Sequence, residues 1–440
     1  MKKIILIFFL TSLLLPKIVF GKDLIRDAEI EETLRIITAP LLENTKIDKE
    51  SFKVLVVNDS SMNAFVTSGQ YIFIHYGLIT KLETVEQLQS VIAHEVAHII
   101  GGHYIKRMTD IESAKTVAGI GMALSAAAGL AAGDTNLVIG LAAGTQSASK
   151  RAFLKNTRTQ EASADQTGIK LMADANINPN AALEVLEIFK GQEFLTAKRQ
   201  DPYIQTHPLN TQRISSINKS LESLSYKIKP KDKNLDYLFK RMRAKFIGFT
   251  DKPNRILRAS DYQNNDELSI YTRAIAYHRL PDFNLAKKAI DSLLNIKPND
   301  PYYNELKAQF LLENGNANEA VKYYKRALEL EPNQFLLNIG YARALNSIGE
   351  YKSSVNLLKN VYVNDPNNGR LLRELAIAYS QIGETGWASL LTAERYALYG
   401  KFKDAMHHAK RTLGTSSPGS IEWLKAEDLI LDIKNMGKYG

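Results

Sequence analysis

The chain contains no cysteine. This excludes disulfides, thiolate metal ligands and a lipid anchor built on an N-terminal cysteine. Long apolar runs are missing as well. The two candidates, Ile4 to Leu15 and residues 116–145, are each broken before reaching the roughly 20 residues that a membrane span requires. No nucleic-acid-binding module signature is present, and nucleic acid is excluded as a partner. Histidine is scarce, at 8 residues in 440, so a paired-histidine motif stands out.

The remaining composition is that of a globular protein. Hydrophobic residues make up 45% and charged residues 23%, and 440 residues suffice for two or three domains with cores of their own. Residues 1–21 read as a signal peptide: Lys2 and Lys3 precede the apolar stretch, and Val19-Phe20-Gly21 offers a small-residue cleavage site. An uncleaved anchor is the competing reading, disfavoured by Pro16 and Lys17. Export of a cysteine-free protein with a bacterial-type signal leads us to expect the periplasm.

His94-Glu95-Val96-Ala97-His98 carries the chemistry. Residues i and i+4 of a helix share a face, so His94 and His98 can grip one metal while Glu95 stands beside it as a proton acceptor. The helix is legible in its own right. Thr84 and Gln87 have capping-box spacing, and Val85, Leu88, Ile92, Val96 and Ile99 recur every three or four residues. Such a motif arises by chance in roughly one chain in a hundred. Before it we expect a helix from Arg26 to Leu42, a strand from Phe52 to Val57, and a hairpin of Ala64–Thr67 with Tyr71–Ile74 closed at Ser68-Gly69-Gln70. The fold class is α+β: a small sheet backed by helices, followed by an all-α solenoid.

A third ligand is needed to leave one metal position for water. His103 follows His98 by five residues, and a one-residue slip from the six-residue spacing turns a helical side chain by about 100°, so we reject it as a ligand. In Glu161-Ala162-Ser163-Ala164-Asp165 both carboxylates share a helical face. Glu161 can complete the ligand set and Asp165 can accept a ligand histidine's free N–H. A solvated acidic turn is the equal alternative.

Three further stretches are distinctive. Residues 116–145 are almost entirely small and apolar, which suits a packed helical hairpin or, alternatively, a mobile flap that touches membrane near the active site. From Tyr226 to Arg258 there are eleven Lys or Arg against three Asp. We expect a solvated linker with one amphipathic helix from Leu235 to Phe246, the alternative being a face for anionic lipid or acidic clients. Finally, Pro298, Pro332 and Pro366 are spaced by 34 residues, as are Pro281, Gly315, Gly349 and Gly383. This period resembles the tetratricopeptide repeat, with Ala320, Tyr324 and Ala327 at packing positions and a degenerate helix pair from Tyr396 to Leu413. We expect about four repeats.

HEVAHIIGGH, EASADQTG and THPLNTQRI, in that order, resemble the gluzincin family of HtpX and the CAAX prenyl endopeptidases. Within it they are most similar to the soluble periplasmic BepA-like (YfgC-like) branch, which joins the peptidase domain to tetratricopeptide repeats. The resemblance covers essentially all of the chain after the signal. It implies one Zn2+ per chain on His94, His98 and Glu161, with Glu95 as general base and Asp165 behind the ligands. It also implies His207 at the fourth metal position as a latch, and Arg213 placed to steady an oxyanion. On its own, His207 reads as a turn residue before Pro208. Ser163 departs from the family, which often has a second acid there. The strand after Asn63 matches an edge that receives substrate as an added strand, and is otherwise simply a sheet edge.

The expected organisation is a signal at 1–21, a zinc metallopeptidase domain at 22–225, a basic linker at 226–265 and repeats at 266–440. The expected substrates are unfolded or misassembled proteins, outer-membrane proteins among them, with an outer-membrane assembly machine as the repeats' partner. Two alternatives stay open: a chaperone or adaptor whose peptidase domain is silent, and a membrane protease anchored through 116–145.

Overall fold

A computed structural model describes residues 24–67, 70–107, 109, 157–196, 199–209, 211–224, 230 and 232–436. The signal segment, the turn at Ser68-Gly69, the stretch 116–145 and residues 225–229 lie outside the described residues. The chain packs as two compact units, one of residues 33–239 and one in which residues 24–32 join 240–436.

In chain order the elements begin with a two-residue strand β1 (Leu24–Ile25) and helix α1 (Ala28–Leu42), which ends in the first-named unit. There follow β2 (Lys53–Val57), β3 (Ala64–Val66) and β4 (Tyr71–His75). β2 runs parallel to β4, pairing Lys53 with Tyr71 and Val57 with His75, and β3 runs antiparallel to β4, pairing Phe65 with Phe73. β3 therefore forms a sheet edge, and the expected hairpin is present.

Helix α2 (Tyr76–Lys81) leads into α3 (Val85–Ile100), which carries the paired histidines. Thr84 caps α3 by accepting from Gln87 N at 3.2 Å, while Gln87 Oε1 reaches back to Glu83 N at 2.8 Å. Leu88, Ile92 and Val96 are fully buried, as are Ile72 and Ile74 of β4. After a short stretch α4 (103–107), helix α5 (157–174) brings the acidic motif to α3. Gly168 permits that approach, because a Cβ there would sit 3.2 Å from backbone atoms of Ala93 and His94. The unit is completed by α6 (Ala181–Ile188), α7 (Pro202–Thr206) and α8 (Thr211–Ser223).

Helix α9 (Lys233–Thr250) passes from the first unit into the second, and α10 (Pro253–Ile256) follows. Helix pairs then repeat: α11 (Glu267–Arg279) with α12 (Phe283–Ile296), α13 (Pro301–Glu313) with α14 (Ala317–Leu330), α15 (Phe335–Ser347) with α16 (Tyr351–Asn364), and α17 (Gly369–Gln381) with α18 (Thr385–Leu398). Gly315, Gly349 and Gly383 hold φ of 84°, 84° and 88°, the left-handed turn between paired helices that only glycine adopts without strain. Ala320, Tyr324 and Ala327 are buried as their spacing requires. One expectation is corrected. Tyr396 to Leu413 is not a helix pair but the end of α18 and most of α19 (Phe402–Thr415), which pairs with α20 (Ile421–Asn435). Gly400, with φ of 68°, supplies the break between α18 and α19.

The basic stretch also differs from a solvated linker. Arg241 and Lys245 of α9 are buried among carboxylates that are distant in sequence. Lys245 Nζ lies 2.8 Å from Asp27 and 3.1 Å from Glu29, while Arg241 pairs with Glu29 and Asp300. Tyr271 donates to Glu29 at 2.6 Å, Arg26 reaches Asp365 at 2.8 Å, and Ala28 is buried beside Leu336 and Leu337. Residues 24–32 are thus held by the repeats through both charge and packing.

Glu305, in the same network, has a buried carboxyl oxygen with no hydrogen-bond partner among the described residues. Burial pushes its pKa up to about 7, with Lys245 opposing and Asp27 and Glu29 adding to the rise. A carboxyl raised this way contributes stability fully below its ordinary value of 4.5 and loses it as pH rises through about 7. Glu305→Gln is therefore expected to be near-neutral at pH 5 and stabilising by on the order of 2 kcal/mol at pH 8, read by chemical denaturation at both pH values.

Candidate metal centre

Four buried side chains converge where α3, α5 and the end of α7 meet. One ligand-type atom from each of His94, His98, Glu161 and His207 falls within a cluster 4.8 Å across. His94 Nε2 lies 3.1 Å from His98 Nε2, 3.3 Å from Glu161 Oε2 and 3.3 Å from His207 Nδ1. His98 Nε2 is 3.5 Å from Glu161 Oε1.

These spacings test whether a metal fits. Zinc bonds of about 2.0–2.1 Å at tetrahedral angles place donor atoms roughly 3.3–3.4 Å apart; the pairs among His94, His98 and Glu161 given above lie 3.1–3.5 Å apart, Glu161 Oε2 and His207 Nδ1 lie 3.0 Å apart, and all four atoms fall within 4.8 Å of one another. The donor chemistry agrees. Three imidazole nitrogens and a carboxylate oxygen, all of them metal-ligand atom types, face one another in a buried site. The residues present fit a divalent metal.

The atoms behind the cluster set its tautomers. Asp165 Oδ1 lies 3.0 Å from His94 Nδ1, leaving His94 Nε2 for the cluster. Arg213 holds Asp165 with a two-pronged contact, Nε to Oδ2 at 2.6 Å and Nη2 to Oδ1 at 2.8 Å. Arg213 Nη1 donates to the His207 carbonyl at 3.2 Å and lies 3.4 Å from Glu161. Every guanidinium nitrogen is thus engaged, so the oxyanion role expected of Arg213 would require one of these contacts to yield. His207 Nε2 is 3.3 Å from the Ala64 carbonyl of edge strand β3 and 3.3 Å from Glu95 Oε1. Its ring packs on Tyr203 at 4.7 Å, and Tyr203 in turn stacks on Phe189.

Electrostatics follow from this packing. Burial alone would raise the carboxyl of Glu161, yet His207 and His98 hold it well below the ordinary range. Asp165 is likewise lowered against burial, chiefly by Arg213. Burial drives His98 well below its usual value, whereas for His94 the Asp165 and Glu161 contacts overcome burial and lift it to about 9. Glu95 is fully buried, and neither carboxylate oxygen has a hydrogen-bond donor among the described residues.

All seven residues singled out from the sequence lie in this one neighbourhood. His103 stands outside the four-residue cluster but touches it: its Nδ1 is 3.0 Å from His98 Nδ1. Sequence spacing tested His103 only as a ligand and missed this contact. Gly101, directly before the turn, was the available signal. Among the described residues no helix is long and apolar enough to cross a membrane.

Residues 27–221 match the model of peptidase family M48, and residues 311–361 match a tetratricopeptide repeat model. The chain is 23% identical over 423 residues to the beta-barrel assembly-enhancing protease of Escherichia coli, covering 94% of this chain and 85% of that one. The Yersinia pestis protein of the same name is 22% identical with the same coverage. Over 189 residues, 41% of this chain and 50% of the relative, it is 27% identical to the mitochondrial metalloendopeptidase OMA1 of Saccharomyces cerevisiae.

Proposed function

This chain belongs to peptidase family M48 through residues 27–221 and is a metallopeptidase; on that premise we propose a zinc endopeptidase that cuts unfolded or misassembled proteins in the periplasm. His94, His98 and Glu161 would hold one Zn2+, with His207 at the fourth position. Asp165 and Arg213 would fix the ligands in place, and the peptidase domain would span 22–225. The observation that carries this reading is the buried Glu95 carboxylate, without a hydrogen-bond partner among the described residues and adjacent to a donor set spaced for a metal.

A zinc ion in that set supplies a Lewis acid that polarises a peptide carbonyl and lowers the pKa of a water. The protein's own groups do the rest. A Glu95 oxygen accepts the proton as the water oxygen bonds to the carbonyl carbon, then passes it to the amine nitrogen as the C–N bond breaks. Edge strand β3 offers backbone groups to an extended chain, which favours substrates without tertiary structure. The name of the Escherichia coli relative, a beta-barrel assembly-enhancing protease, supports outer-membrane β-barrel proteins as clients. The repeats support a protein partner, which we take to be an outer-membrane assembly machine, and residues 226–265 and 266–440 would form the linker and repeat array.

His207 rests against both Glu95 and the β3 edge, positions that substrate must use. We read it as a latch. His207→Ala is expected to raise cleavage of a reduced, unfolded protein by roughly tenfold, as the competent fraction grows. Cleavage that falls in the variant while zinc content is unchanged would make His207 part of the chemistry instead. A wild type and variant that both hold zinc and never cut would favour the chaperone reading.

A further inference from the structure

We propose that His103 is a positioning residue of the metal centre: its ring accepts the Nδ1–H of His98 and so fixes which nitrogen of His98 faces the metal. The proposal rests on the reading of His98 as a ligand.

The two Nδ1 atoms are 3.0 Å apart and both rings are buried, meeting edge-on at 4.9 Å. A hydrogen bond between two imidazoles needs one proton and one lone pair. His98 Nε2 points into the cluster, 3.1 Å from His94 Nε2 and 3.5 Å from Glu161, so it must be bare to bind a cation. The proton of neutral His98 then belongs on Nδ1. His103 Nδ1 is left as the acceptor, with its own proton on Nε2. His94 receives the same service from Asp165, so the two ligand histidines are backed by different groups, one anionic and one neutral.

The chain is shaped for this contact. A Cβ on Gly101 would overlap the His103 ring, whose Nε2, Cδ2 and Cε1 are its nearest neighbours. Gly101 has an ordinary φ of −74°, so its backbone makes no demand for glycine, whereas the ring does. Gly102, at φ of 60°, then turns the chain out of α3, so the five-residue spacing from His98 no longer follows one helix. The ring then meets that of His98 edge-on, Nδ1 toward Nδ1.

The test uses the full chain and measures zinc affinity by competition with a chromogenic chelator, together with melting of the metal-free protein. His103→Phe keeps a ring and loses the acceptor, while His103→Asn keeps an acceptor near the Nδ1 position. With melting unchanged, His103→Phe should weaken zinc binding by about 10–100-fold and His103→Asn should stay within about threefold of wild type. Gly101→Ala, which displaces the ring, should match His103→Phe, and the double variant should be no weaker than either. Equal zinc affinity in wild type and His103→Phe overturns the proposal. So does a loss in His103→Asn as large as in His103→Phe, since that marks a packing role. A wild type that takes up no zinc overturns the ligand reading itself and this inference with it.

Discussion

Glu95→Gln is expected to reduce hydrolysis of an unfolded protein by roughly 10²–10⁴-fold while zinc content stays at the wild-type level. The amide matches the carboxylate in shape but cannot take the proton from water. The surroundings make this substitution unusually clean. No hydrogen bond to either Glu95 oxygen exists among the described residues, so no network collapses when the charge is removed. Among the described residues, His207 Nε2 lies 3.3 Å from Glu95 Oε1. The comparison is made at saturating zinc, with metal quantified in both proteins. Residual activity near wild type, with zinc bound, would remove Glu95 from the proton path.

Arg213→Ala should be the most destabilising of these single changes. The guanidinium is buried and makes two hydrogen bonds to Asp165, one to the His207 carbonyl and an ion pair with Glu161. Deleting it leaves the buried Asp165 carboxylate without its cation, a loss worth about 3–5 kcal/mol when one partner of a buried pair is removed. The loss should appear in denaturant melts of the metal-free protein. Zinc should recover part of it, because a cation held by His94, His98 and Glu161 binds the folded state alone and adds positive charge beside the buried carboxylates. Arg213→Lys would not rescue it, since an ammonium cannot reproduce the two-pronged grip on Asp165. A loss below about 1 kcal/mol would show that water or a shifted side chain replaces the guanidinium.

What the sequence made legible follows physical range. The Thr84 cap, the i, i+4 histidines and the 34-residue period are local patterns, and each is found where spacing placed it. Glu161 and Asp165 were ambiguous because an acidic turn is common. Gly168, which lets α5 approach Ala93 and His94 closely, is what brings them to the metal face, and a lone glycine in a helix does not announce that. The burial of Arg241 and Lys245 was invisible because Asp27, Glu29 and Asp300 are far away along the chain. Helical spacing from His98 does not place His103, because the turn at Gly102 voids that spacing. The parallel pairing of β2 with β4 likewise needs the tertiary fold.

The central claim is that these particular side chains hold one zinc ion. It is tested most directly by a crystal of the full chain grown with zinc, measured on both sides of the zinc absorption edge. The account predicts a single anomalous peak about 2.0–2.1 Å from His94 Nε2 and His98 Nε2, also bonded to Glu161. A zinc-loaded crystal with no peak there, or with its peak on other residues, would contradict it.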